Sequence, residues 1–302
     1  MSISHYIKDI GRGKDGARAL GRAQAADLMG QVLDQQVSDL ELGAFCLAMR
    51  IKGETPEEMA GFLDATHARL NKVHTGQVPT VVLPRYNGAR KLPVLTPLLA
   101  LLLAREGVAV LVHGSATEDK RISSQAVFDH LGVAAMSAPA PAVAGQVQYI
   151  PTRVLHAGLE RLLAVRRVVG LRNPGHSLVK LMNPCSSESG PALVVSSYTH
   201  PEYLQSMSAT FALTGQHALL LRGTEGEPVA DARRTPAMDV FHNGQTLRVQ
   251  EQQEGSLAKM PDLPGIDAAA TAVYIEHVLQ NLLPVPEPIA RQVQHILREV
   301  KA

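Results

Sequence analysis

Asp39-Leu40-Glu41-Leu42-Gly43-Ala44-Phe45-Cys46-Leu47-Ala48-Met49-Arg50-Ile51-Lys52-Gly53-Glu54-Thr55-Pro56-Glu57-Glu58 is the stretch from which the fold is read. Ser38 stands before it, three residues ahead of Glu41, so serine oxygen and glutamate carboxylate can each cap an orphan amide of the first turn. The run that follows sets Leu40, Ala44, Leu47 and Ala48 on one face, which is expected to face the core together with Val32 and Val37. Lys52-Gly53 closes this helix. Thr55-Pro56-Glu57-Glu58 repeats the start signal with proline in the first turn and leads into Met59, Phe62, Leu63 and Leu70. Residues 1–75 therefore read as a helical domain.

Beyond His74-Thr75-Gly76 the pattern changes. Val81–Leu83 and Val108–Val112 are short apolar runs of the buried-strand type, separated by a helix from Thr96-Pro97 to Arg105. Ala192–Ser196 and His217–Leu221 are further strand candidates flanking a helix that begins at Pro201. Thr152–Met182 reads as helical, and Ile289–Val300 as a final helix. Strands alternating with helices predict a mainly parallel sheet. The fold class is α/β, a small all-helical domain plus a larger domain with a mainly parallel central sheet. The expected division is residues 1–75, joined in space by part of 152–190, against 76–151 with 191–302.

The 302 residues are 45% hydrophobic and 19% charged, with 4% aromatics and no tryptophan, which excludes a disordered, collagenous or disulfide-scaffold chain. The 2 cysteines, Cys46 and Cys185, fit a reducing compartment, and the expected location is the cytoplasm. No signal peptide follows the basic residues Lys8, Arg12 and Arg18. Leu92–Ala104 is too short to span a bilayer and Leu131–Thr152 is broken by prolines, so no membrane association is expected. The 12 histidines show no metal-ligand spacing, and no metal is assigned. The net charge is only +1, yet Pro79–Leu181 holds 12 Lys/Arg against 5 Asp/Glu, which leaves the remainder negative. A polarised chain of this kind suits an anionic partner.

The Asp39–Glu58 stretch resembles the helical domain of anthranilate phosphoribosyltransferases and pyrimidine nucleoside phosphorylases. The resemblance continues collinearly through Val112-His113-Gly114, Ser123-Ser124, Gly170-Leu171-Arg172, Asn183-Pro184 and Gly223. It implies the two-domain fold and a homodimer formed through the helical part. It also exposes departures. Where the family has a Gly-Thr-Gly-Gly-Asp turn for pyrophosphate, this chain has Arg85-Tyr86-Asn87-Gly88-Ala89-Arg90-Lys91. The family's Lys-His-Gly-Asn-Arg run survives only as His113-Gly114, and the tandem Asp-Glu that holds magnesium becomes Glu225-Gly226-Glu227, with Glu227 expected to be an exposed loop residue. Lys180 adds a cation beside the cleft, and Arg172 matches the arginine that contacts the anthranilate carboxylate.

Lost catalytic parts and added cations resemble the YbiB-type, DNA-binding subgroup of anthranilate phosphoribosyltransferase-like proteins. That resemblance implies a non-catalytic homodimer that grips DNA or RNA, single-stranded, through its backbone. The expected contacts are Arg85, Arg90, Lys91, Lys120, Arg121, Arg166, Arg167, Arg172 and Lys180, with Tyr86 stacking on a base. Asn87, Gly88, His113, Gly114, Ser123 and Ser124 are expected to be a vestigial phosphate site, and no cofactor is required. The alternative is a retained phosphoribosyltransferase, using phosphoribosyl pyrophosphate near Ser123 and Ser124 with magnesium on Glu227.

Overall fold

The computed structural model describes residues 2–13, 15–116, 118–186, 192–255 and 261–301. Four helices come first: α1 (Ser4–Ile10), α2 (Arg22–Leu33), α3 (Asp39–Lys52) and α4 (Pro56–His67). Both predicted starts are present. Ser38 Oγ accepts from the Glu41 amide while Glu41 returns to the Ser38 amide, and Thr55 and Glu58 do the same for α4. Glu58 goes further, because its buried carboxylate also holds the Lys52 ammonium at 2.6 Å and the Leu20 amide at 2.9 Å.

The α/β part runs β1 (Thr80–Pro84), α5 (Thr96–Arg105), β2 (Ala109–Gly114), α6 (Ser124–His130), β3 (Val147–Pro151), α7 (Thr152–Leu155), α8 (Ala157–Val169), α9 (Gly175–Leu181), β4 (Ala192–Tyr198), α10 (Pro201–Thr214), β5 (Ala218–Arg222), β6 (Met238–His242), β7 (Gln245–Gln250), α11 (Ala268–Leu279) and α12 (Glu287–Lys301). The seven strands form one sheet in the order β3-β2-β1-β4-β5-β6-β7, parallel from β3 to β5 and antiparallel at β6 and β7. Strand alternation assigns the two faces. Val82, Leu111, Val194 and Leu220 pack toward the helical domain, whereas Val81, Val110, Val195 and Leu219 pack under α5, α11 and α12. The expected joint at residues 190 and 191 lies outside the described residues.

Three expectations are corrected. Leu40 and Leu47 are exposed, at 84% and 45%, and the core face of α3 is Leu42, Phe45, Cys46 and Met49. Both sets recur at helical spacing, so periodicity alone could not say which one faces inward. The helical run Thr152–Met182 is three helices, broken where His156 turns extended and where Gly170 adopts φ +74°. Strands β3, β6 and β7 and helix α11 were not expected. The hairpin turn Asn243-Gly244, with φ +49° and +78°, was nonetheless a readable signal for β6 and β7. Among the described residues no helix is long and apolar enough to cross a membrane.

Candidate functional site

The strand order reverses direction between β1 and β4, and in open parallel sheets the crevice beyond the carboxyl ends at such a point is where ligands sit. The loop after β1 enters this crevice as Arg85–Leu92, and the loop after β5 meets it as Gly223–Glu227. Their encounter defines the site. Glu227, 1% exposed, accepts from the amides of Asn87 at 2.9 Å and Gly88 at 2.7 Å, and from the hydroxyls of Thr96 at 3.2 Å and Ser124 at 3.1 Å. Glu225 accepts from the amides of Arg90, Lys91 and Leu92 at 2.9, 3.0 and 3.2 Å. Partial burial pushes the Glu225 carboxyl upward, but these three amides outweigh it and hold it below the usual range.

Five successive-turn amides thus point at anions, and the chain supplies both anions itself. Glu227 is not the exposed loop residue expected from the sequence. Gly226 allows the approach: it adopts φ +89°, and a Cβ there would stand 1.7 Å from Asn87 Nδ2. Magnesium does not fit these residues. Both carboxylates are spent on amides and hydroxyls, and among the described residues no group of three His, Cys, Asp or Glu side chains forms a ligand set.

The rest of the expected phosphate site is likewise engaged. Ser123 caps α6 by accepting from the Ala126 amide. His113 is buried at the end of β2 with Nδ1 2.8 Å from the Tyr86 hydroxyl, and burial pushes its pKa down to about 3. Gly114 lets the Arg85 carbonyl approach, since a Cβ there would lie 1.8 Å from it.

Two expected nucleic-acid contacts are therefore overturned. Tyr86, 2% exposed, cannot stack on a base, because its hydroxyl is held by Thr152 and His113 inside the core. Arg85, 1% exposed, donates to the Tyr149 hydroxyl and lies over the Tyr149 ring. Three more cations are tied to acids that the charge count had not paired with them. Glu118 takes Arg121 at 2.9 Å and Arg166 at 3.0 Å, and Asp119 takes Arg167 at 3.2 Å. Arg90, Lys91 and Lys120 are exposed, and among the described residues their side chains have no partner.

Arg172 and Lys180 border a cleft of about 290 Å³ between the α3–α4 corner, α4, α9, the end of β4 and α10. Arg172 has no carboxylate partner among the described residues; its guanidinium reaches only Asn87 Oδ1, at 3.3 Å. Burial, then the neighbouring charges of Arg166 and Arg121, pull its pKa down. Lys180 Nζ donates to the Gly226 and Ser197 carbonyls, and burial followed by Arg172 lowers its pKa to about 8. Arg172 and Lys180 thus stand close to Arg121 and Arg166, which share the Glu118 carboxylate. The cleft also contains Glu54, whose carboxyl burial pushes up toward the neutral form, and Tyr203 of α10. Tyr203 carries no charge signal in the sequence, standing on a helix without Lys or Arg, and was not among the expected site residues.

Comparisons agree with this architecture. Residues 4–69 match the helical bundle domain of the glycosyl transferase family. The chain is 37% identical to YbiB of Escherichia coli strain K12, an uncharacterized protein, over 97% of this chain and 92% of that relative. It is 26% identical to anthranilate phosphoribosyltransferase of Anaeromyxobacter dehalogenans strain 2CP-C, over 92% of this chain and 83% of that relative. The crystal structure of anthranilate phosphoribosyltransferase from Thermus thermophilus has the same fold, with a TM-score of 0.76 at 19% identity, covering 98% of this chain and 89% of that one.

Glu227→Ala leaves two buried amides and two buried hydroxyls without an acceptor. The expected loss is about 3 kcal/mol or more in urea unfolding, at roughly 1–3 kcal/mol for each orphaned group. Glu254→Ala, on an exposed residue, should stay within about 0.5 kcal/mol. Equal losses in the two variants would show that the carboxylate does not hold the loops.

Proposed function

On the premise that this chain belongs to the family of YbiB and is built on the anthranilate phosphoribosyltransferase fold, we propose that it binds single-stranded DNA or RNA through the sugar-phosphate backbone and transfers no phosphoribosyl group. The carrying observation is the cation cluster at the cleft mouth. Arg172 has no carboxylate of its own, its guanidinium reaching only the Asn87 side-chain oxygen beside Lys180 and the Glu118-paired Arg121 and Arg166, and a phosphate placed there would supply the missing negative partner. Arg90, Lys91 and Lys120 extend the positive surface along one rim. Glu225 fixes the backbone of Arg90 and Lys91, so their side chains project outward. Binding of this kind is driven by counterion release and reads little sequence.

A second reading, phosphoribosyl transfer, is favoured by one feature. The amides of residues 87–92 and the hydroxyls of Thr96 and Ser124 are the kinds of group that cradle phosphate. That cradle is filled by Glu225 and Glu227, which also removes the carboxylates that magnesium would need. The first reading is therefore preferred.

The dimer expected from the family resemblance has a natural surface in α3. Leu40, Leu47 and Ile51 lie on one exposed stripe, at 84, 45 and 61%. We propose that this stripe is covered by a second copy of the chain, since contiguous exposed apolar surface of this kind commonly marks an interface.

Fluorescence anisotropy with a labelled single strand should show affinity falling steeply between about 50 and about 200 mM salt. Arg90→Glu with Lys91→Glu should weaken binding and flatten the log–log salt slope by about one unit or more. Salt-independent binding, or a double variant indistinguishable from wild type, would overturn the proposal. Calorimetry with magnesium and phosphoribosyl pyrophosphate is expected to show no binding heat, and a clear saturable heat would favour the second reading. Light scattering should give a dimer for wild type and a monomer for Leu47→Glu; an unchanged mass would remove α3 from the interface.

A further inference from the structure

Three arginines on one rim of the site are matched by two acids of the same chain. Glu118 and Asp119 lie between β2 and α6. Arg121 Nε and a guanidinium nitrogen of Arg166 both donate to the same Glu118 oxygen, Oε2, at 2.9 and 3.0 Å. Asp119 pairs with Arg167 at 3.2 Å. Partial burial pushes the Glu118 carboxyl upward, but Arg121 and then Arg166 outweigh it and hold it below the usual range. Both acids are therefore charged at neutral pH.

The acids are not what positions these arginines. Arg121 also donates to the Gly88 carbonyl at 3.2 Å, and Arg167 to the Ala116 carbonyl at 3.1 Å. Gly88 is itself fixed, since its amide donates to Glu227. Carbonyl dipoles thus place two of the guanidiniums, and the carboxylates add chiefly negative charge. Rim ion pairs of this kind contribute little to stability. Their charge reaches further than their contacts. Burial, then Arg166 and Arg121, pull the Arg172 pKa down, and Glu118 acts on Arg172 in the opposite direction. Glu118 is therefore close enough to oppose a phosphate placed on Arg172.

A guanidinium grips carboxylate and phosphate with the same planar fork. A carboxylate carried on the same chain is present at a high, fixed effective concentration. We propose that Glu118 and Asp119 are built-in competitors of the bound strand, tethered anions that occupy Arg121, Arg166 and Arg167 and so limit its affinity. This rests on the strand-binding reading and adds to it the residues that set its strength. Wild type meets the strand with Arg90, Lys91, Lys120 and Arg172. Removing the two negative charges adds three arginines.

The test is fluorescence anisotropy with a labelled strand of about 15 thymidines, on the full chain. Glu118→Gln with Asp119→Asn is expected to bind about tenfold more tightly than wild type. Its log–log salt slope should steepen by about one unit or more, at about 0.7 for each added phosphate contact. When Arg121, Arg166 and Arg167 are all changed to Gln, the same two acid substitutions should alter affinity by less than about threefold, because nothing is left to withhold. Asp129→Asn, at an exposed acid of α6 with no arginine partner among the described residues, measures the general charge effect and should also stay within about threefold. A gain that persists in the glutamine background, or that Asp129→Asn matches, would reveal a general field and overturn the competition. Unchanged affinity in the acid-free variant overturns it too and leaves the strand-binding reading standing. Absence of binding by wild type and every variant overturns both. Should the double acid variant not fold, Asp119→Asn alone changes only an exposed side chain, and its gain should vanish in Arg167→Gln.

Discussion

Everything at the carboxyl end of the sheet depends on two carboxylates meeting a row of backbone amides. Glu227 and Glu225 satisfy the amides of Asn87, Gly88, Arg90, Lys91 and Leu92, and they bind the loop after β5 to the loop after β1. Amides presented in this way attract whatever anion is at hand. When the anion belongs to the same chain, its local concentration is fixed and no binding entropy is lost. A free diphosphate must displace it and leave a buried carboxylate without partners. Charge-assisted hydrogen bonds at 2.7 and 2.9 Å make that displacement costly. Amides of a kind that could cradle a ligand thus form a structural joint between two loops.

The joint and the cation cluster support one another. Asn87, whose amide is held by Glu227, offers its side-chain oxygen to Arg172, and the carbonyl of Gly226 takes the Lys180 ammonium. Arg172 and Lys180 are therefore oriented by dipoles rather than by opposite charges. Dipoles fix geometry without neutralising charge. Arg121, Arg166 and Arg167 differ in kind. Glu118 and Asp119 already compensate them, and they shape the rim more than they hold a ligand. The useful positive surface is narrower than the nine Lys and Arg residues expected from the sequence.

Much of the fold was legible because its signals are local. The capping boxes at Ser38 and Thr55, the apolar runs of β1, β2, β4 and β5, and the glycine at the end of α3 act through neighbours only a few residues away. The inward face of α3 was not legible, since Leu40 and Leu47 repeat with the same helical period as Phe45 and Met49. The site was legible mainly as an absence, in the missing glycine-rich turn. That Glu227 fills the resulting cradle depends on partners about 140 residues away in sequence, and no local pattern encodes such a pairing. Glu118 and Asp119 were visible as acids, but which arginines they would neutralise was not.

By itself the sequence determined the two classes of secondary structure, their order, the parallel character of the sheet and the clustering of positive charge in its middle third. These follow from propensity, periodicity and composition, which are properties of short segments. Tertiary structure alone decided which cations stay unpaired, which aromatic reaches the cleft and whose carboxylates occupy the amide cradle. Each of those depends on distances between segments remote in sequence, and both desolvation and Coulomb interaction change steeply over a few ångströms.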